Sequence, residues 1–204
     1  MNYRLPAVVA AAGLSSRMGA NKALLDAGGG TFLARVVGAL NRGGADPVLV
    51  VLRSLEGEEA REAGACGSVP ILNPDPGPGP ISSLQAGLRK LPPDAPGTLF
   101  TPVDHPLFKG STVKKLITGF LDALPPIAAP AFHGRPGHPV IFHQDLFPEL
   151  LEEDLPQGAR TVVRRHLEGR LLLDVDDPGV LADIDTPLEY RRHFPAEPNG
   201  PPTG

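Results

Sequence analysis

The chain has 204 residues, 41% of them hydrophobic and 21% charged, which is enough for one sizeable core and ordinary for a globular enzyme. A formal net charge of −4 excludes a broadly basic surface for coating nucleic acid, so an anionic ligand needs cations placed locally. With Cys66 as the one cysteine an internal disulfide is excluded, and no apolar run approaches the roughly 18 residues of a membrane helix.

The first element is the apolar run Ala7–Ala12. Arg4 and the residues after it look superficially like a secretion signal, but Pro6 interrupts the run and Gly13 ends it. It reads as the first core strand of a cytoplasmic protein. The strand empties into Ala11-Ala12-Gly13-Leu14-Ser15-Ser16-Arg17-Met18-Gly19-Ala20-Asn21-Lys22. Gly13 and Gly19 let the backbone come close to a ligand, Ser15 and Ser16 offer hydroxyl donors, and loop amides can point at phosphate oxygens. Arg17 adds a planar fork and Lys22 a compact point charge. This is a loop for holding polyphosphate, yet it is neither a Walker loop nor the Gly-x-Gly-x-x-Gly fingerprint.

Thr31 caps a helix with Phe32, Leu33, Val36, Val37 and Leu40 on one side. Val48–Leu52, Val69–Leu72 and Thr98–Val103 are continuous apolar runs, which predicts strands covered on both faces. Between them, Glu56–Ala63 carries a weak helical pattern. Ser82 starts a helix bearing Leu84, Leu88 and Leu91, which Pro92 closes. Ser111 opens another that runs to Pro125. This rhythm predicts an α/β fold with a Rossmann-like, doubly wound, mostly parallel sheet. In the last third, Ile127–Phe132, Pro139–Phe142 and Arg170–Val175 read as strands, and Leu146–Glu152, Ala159–Glu168 and Pro187–Phe194 as helices. Strands near Pro139 make a small antiparallel elaboration over the ligand end of the sheet. One domain is expected over residues 1–194, with a disordered Pro/Gly-rich tail over 195–204.

Ligands of open α/β sheets collect beyond the carboxyl ends of the strands, where the remaining motifs fall. In Asn73-Pro74-Asp75-Pro76-Gly77-Pro78-Gly79-Pro80-Ile81-Ser82-Ser83-Leu84, Asn73 offers the donor and acceptor that read a base edge. Gly79 permits close approach, and Ser82 and Ser83 present hydroxyls. The bland alternative is a rigid Pro/Gly loop with a serine cap. Asp104 leaves a buried strand just before Pro106 turns the chain, well placed to hold Mg²⁺, whereas His105 reads as a bystander. His138, in Gly134-Arg135-Pro136-Gly137-His138-Pro139, either contacts a second substrate or braces a turn. Alternation puts Asp183 and Asp185 on one side of a short strand before Thr186 and Pro187 start the last helix. Either Asp185 is a second metal ligand with Asp104, or both aspartates anchor that helix. The acidic run Asp174–Asp177 reads as a solvated turn.

The first loop resembles the A-A-G-x-S-x-R-M-G-x-x-K signature of nucleotidyltransferases of the nucleotide-diphospho-sugar transferase type. Within that group it is most similar to the MobA/MocA-type family, which attaches a nucleotide to molybdopterin. Asn73–Leu84 matches the N-P-x-x-x-x-G-x-x-S-S-L of cytidylyl relatives, Gly134–Pro139 resembles their G-x-x-G-H-P, and Asp183–Pro187 their D-I-D-T-P. Gln157-Gly158-Ala159-Arg160 departs from the relatives' Gly-Asp-x-Gly-Ala-Arg. The resemblance implies Mg²⁺-dependent transfer of a nucleotidyl group from an NTP to the phosphate of molybdopterin, with release of pyrophosphate. It implies catalytic roles for Arg17, Lys22 and Asp104, and nucleotide binding by Ala11, Ala12, Gly13, Ser15, Ser16, Arg17, Lys22, Asn73, Gly79, Ser82 and Ser83. His138 would meet the second substrate, and Asp104 and Asp185 the metal. The Ala-Ala-Gly opening favours CTP, whereas Gly79-Pro80-Ile81 resembles the G-P-L of guanylyl enzymes, so a guanylyltransferase of the same cofactor is the first alternative. A sugar- or alditol-phosphate nucleotidyltransferase and a non-catalytic carrier module for the cofactor are others. A client molybdoenzyme or its chaperone is the expected partner, with no nucleic acid and no membrane.

Overall fold

A computed structural model of the chain describes residues 4–13 and 18–194. Its strands are β1 (Leu5–Ala10), β2 (Ala45–Leu52), β3 (Val69–Leu72), β4 (Gly97–Pro102), β5 (Ile127–Phe132), β6 (Arg135–Pro136), β7 (Val140–His143) and β8 (Leu171–Asp174). Its α-helices are α1 (Phe32–Gly43), α2 (Glu58–Ala65), α3 (Pro80–Leu88), α4 (Gly110–Ala123), α5 (Phe147–Leu150), α6 (Ala159–Arg165) and α7 (Pro187–His193). The strands make one mixed sheet in the order β3-β2-β1-β4-β7-β5-β6, with β8 paired to β5. β1, β2, β3 and β4 are mutually parallel where they pair, and β7 enters antiparallel between β4 and β5. The antiparallel elaboration expected near Pro139 is thus built into the sheet itself.

Side chains alternate across a strand, so an all-apolar strand feeds two cores. Ala7 and Val9 of β1 join Val48, Val50 and Leu52 of β2 beneath α1 and α4, with Phe32, Leu33, Leu40, Leu116 and Phe120. Val8, Ala10, Leu49 and Val51 face the other way, against Leu84 and Leu88 of α3 and Leu150 and Val162 beyond it. β3 departs from the expectation of two covered faces. It is the sheet edge, and Val69 and Leu72 are 48% and 46% exposed.

Thr31 caps α1 as expected, its hydroxyl accepting from the Ala34 amide at 3.0 Å. Ser82 does not start α3. The helix begins at Pro80, with Gly79 at the cap in a backbone conformation (φ 84°) that favours glycine. The segment before α7 is not a strand. It lies beside β4's exit through one backbone bond, Ile184 N to Asp104 O at 3.0 Å. Asp177, expected in a solvated turn, is buried and accepts from the Lys109 amide at 2.8 Å and the Thr112 hydroxyl at 2.6 Å, capping α4 from 65 residues away. Among the described residues no helix is long and apolar enough to cross a membrane. The expected tail, 195–204, lies outside the described residues.

Candidate active site

The exits of β1, β3 and β4 converge with the approach to α7. Ala11 continues β1 by donating its amide to Val51 O at 2.9 Å, and Val103 continues β4 by donating to Ala10 O at 3.0 Å. Asn21 caps a short 3₁₀ turn, its side chain accepting from the Ala23 amide at 3.1 Å, and this turn delivers Lys22. A capping box starts α7. Glu189 accepts from the Thr186 amide at 2.8 Å and Thr186 Oγ accepts from the Glu189 amide at 3.3 Å, which fixes Asp185 just ahead of it.

The outcome is a cation held between two carboxylates. Lys22 Nζ donates to Asp104 Oδ2 at 2.9 Å and to Asp185 Oδ1. Burial alone would lower the Lys22 pKa, but the Asp104 charge and the hydrogen bonds to Asp185 and Asp104 outweigh it, so the ammonium stays charged well into the alkaline range. Asp183, which the spacing singled out without assigning to a metal, completes the set. Its carboxylate, the His105 ring and Asp104 bring one donor atom each within 4.8 Å of one another. Burial, and then the charges of Asp104 and Asp185, push the Asp183 carboxyl up to about 6. This surplus of negative charge, offered by hard carboxylate oxygens, suits a divalent cation such as Mg²⁺ or Mn²⁺.

Lys22, Asp104 and Asp185 line a cavity of about 240 Å³ together with Ala11, Ala12, Gly13, Gly79 and Ser83. The predicted cluster is therefore assembled in space from segments up to 163 residues apart. Two members are committed inward. Asn73 is buried and spends its amide on Ser82 Oγ (2.9 Å), Ser83 Oγ (3.3 Å) and the Asp75 backbone amide (3.1 Å). Ser82 donates to Gly79 O at 2.9 Å. Both hold the β3–α3 loop in shape through these bonds. The expectations for Ser15, Ser16 and Arg17 lie outside the described residues.

Two further cavities flank the first. One of about 460 Å³ shares Ala11, Gly13 and Asn21 with it, on the β2 side. The other, about 590 Å³, shares Pro80 and Pro102 on the β7 side, with Phe100, Val140 and Phe142 for walls and His138 and Arg160 for polar groups. His138 packs against His105 with ring centroids 4.4 Å apart and the planes tilted by 43°. Burial, reinforced by His105, takes His138 down to about 3 despite a hydrogen bond to the Phe100 carbonyl, so the ring is neutral. Nδ1 of each ring is buried with no hydrogen-bond partner among the described residues. The fold thus carries His138 to the β7-side cavity as a neutral group.

An open α/β sheet with a cation and carboxylates gathered where its parallel strands end is the architecture of a nucleotidyltransferase. The chain belongs to the family of the MobA-like NTP transferase domain, whose profile matches residues 7–170. It is 34% identical to a molybdenum cofactor guanylyltransferase of Rhizobium meliloti (strain 1021), over 92% of this chain and 89% of that protein. It is 35% identical to one of Sinorhizobium fredii (strain NBRC 101917 / NGR234), over 80% and 72%. Among solved structures, Rv0371c from Mycobacterium tuberculosis H37Rv superposes with a TM-score of 0.80 at 27% identity, over 96% of this chain and all (100%) of that one.

Proposed function

We propose that the chain transfers a guanylyl group from GTP to the phosphate of a molybdopterin-type cofactor and releases pyrophosphate. The observation that carries this reading is the Lys22–Asp104–Asp185 cluster in a chain 34% identical, over nine-tenths of its length, to a molybdenum cofactor guanylyltransferase. The CTP preference expected from the Ala-Ala-Gly opening finds no support in these relatives, whose names specify guanylyl transfer.

The chemistry needs no general base, because the acceptor phosphate is already an anion. One of its oxygens forms a bond to the α-phosphorus of GTP, the bond from that phosphorus to the β-bridging oxygen breaks, and its electrons leave with pyrophosphate. The chain's part is positioning and charge. Lys22 holds Asp104 and Asp185 in register and adds positive charge beside the polyphosphate. Asp104, Asp183 and Asp185 would hold a divalent cation, which when bound neutralises the triphosphate and orients its α-phosphate. The cavity beside β7 would seat the acceptor, its apolar walls against the flat heterocycle and Arg160 facing the phosphate. Neutral His138 suits contact with the heterocycle better than with the phosphate. Incubation with GTP, Mg²⁺ and molybdopterin, followed by mass analysis, tests the reading. A guanylylated cofactor and equimolar pyrophosphate are expected, and an unmodified cofactor under conditions where a sugar phosphate is guanylylated overturns it.

A further inference from the structure

With Asn73 committed inward, the base must be read by other groups. Ala11, Ala12 and Gly13 carry no polar side chains, and the β7-side cavity is mostly apolar. The β2-side cavity is different. Its far wall is the segment leaving β2, with Arg53, Ser54 and Glu56, and its near wall is Ala11, Gly13 and Asn21, which it shares with the phosphate site. A base placed there would leave the polyphosphate against the shared wall and the β7-side cavity open to the acceptor.

The neighbouring carboxylates are engaged: Glu59 accepts from Asn21, and Glu62 accepts from the Thr31 hydroxyl at 2.6 Å. The side chains of Arg53 and Glu56 are exposed and make no hydrogen bond or ion pair with any described residue. An unengaged guanidinium and an unengaged carboxylate on one wall match a particular base. Guanine shows two acceptors, O6 and N7, on one edge, to which arginine binds bidentately, and two donors, N1–H and N2–H₂, on the next, which a carboxylate accepts. Cytosine would set its O2 and N3 acceptors against the carboxylate. We propose that Arg53 and Glu56 are the guanine-reading residues, Glu56 taking N1–H and N2–H₂ and Arg53 taking O6 and N7. This rests on the guanylyl reading above.

Inosine triphosphate, which lacks only the 2-amino group, isolates the Glu56 contact. The test measures kcat/KM for GTP and ITP in the wild type, Glu56→Gln and Arg53→Met, with folding checked by thermal melts. The wild type should prefer GTP by about 10- to 100-fold, the range of one charge-assisted hydrogen bond. Glu56→Gln should shrink that preference to about 3-fold or less, because its amide opposes N1–H with a donor of its own. Arg53→Met should lower kcat/KM about 10-fold for both nucleotides alike, since both carry O6 and N7. A folded Glu56→Gln enzyme that keeps the wild-type GTP:ITP ratio overturns the inference and leaves guanylyl transfer standing. A wild type that turns over CTP and not GTP overturns both.

Discussion

Lys22 Nζ lies 2.9 Å from Asp104 Oδ2 and also binds Asp185, so a lysine from the first loop occupies the space between the carboxylates of two other segments. A loop cation expected to meet phosphate directly thus also sets the carboxylates in place. Lys22→Met should lower kcat/KM for GTP by about 100-fold or more, the loss of one preorganised charge contact. Lys22→Arg should not restore it, because a planar fork cannot replace a point charge between two oxygens. Steady-state kinetics of the two variants check this, and near-normal turnover in Lys22→Met would remove the residue from the mechanism.

Asp183 gives a pH signature in the absence of divalent metal. Its folded-state pKa of about 6 lies above the ordinary 3.8, so between those values the folded chain holds a proton that the unfolded chain has lost. Stability contributed by this group therefore falls as pH rises through that window. Asp183→Asn should melt with the wild type near pH 4 and about 2 °C above it at pH 7.5. Adding Mg²⁺ should then raise the wild type more than the variant. A variant less stable than the wild type at pH 7.5 contradicts the charge-surplus account.

Asp177 is a structural counterpart, a buried carboxylate that does not line the site cavity. Asp177→Ala strips the α4 amide end of its cap and leaves the Thr112 hydroxyl without its acceptor. The expected cost is about 2 kcal/mol, seen as a Tm drop of about 4–8 °C, with kcat at 25 °C unchanged. Calorimetry and a single rate measurement decide it.

Gly137 tests the acceptor cavity from behind. A Cβ there would sit 2.2 Å from Val180 O, and the next amide, His138 N, already donates to that carbonyl at 2.9 Å. Gly137→Ala must push the β6–β7 connection away from Val180 and carry His138 with it, at about 1–3 kcal/mol of stability. KM for the acceptor should rise about 10-fold while KM for GTP stays within about 2-fold. A parallel rise in both would place His138 elsewhere in the reaction.

Most of the layering was legible because apolar runs and caps are local signals. Thr31 announced α1, and the Pro139 region announced the antiparallel strand. The alternation set Asp183 and Asp185 on one side of a short strand; the backbone carrying them is not a strand, yet both lie near Asp104. Signals that depend on a distant partner were misread. Asp177 looked solvated because Thr112 lies 65 residues away, and β3 looked covered because its apolar run does not reveal that no strand follows it in the sheet. Composition likewise does not show that Ser82 and Ser83 use the Asn73 amide. Arg53 and Glu56 belong to no motif, since a lone charge after a strand is ordinary; the fold sets both on one cavity wall.

The most direct test of the whole account is pyrophosphate release with each of the four NTPs and Mg²⁺, with and without molybdopterin. Release from GTP that appears only with the pterin, and is lost about 10³-fold in Asp104→Ala, is the predicted result. Release that ignores the pterin, or that survives in Asp104→Ala, would contradict it.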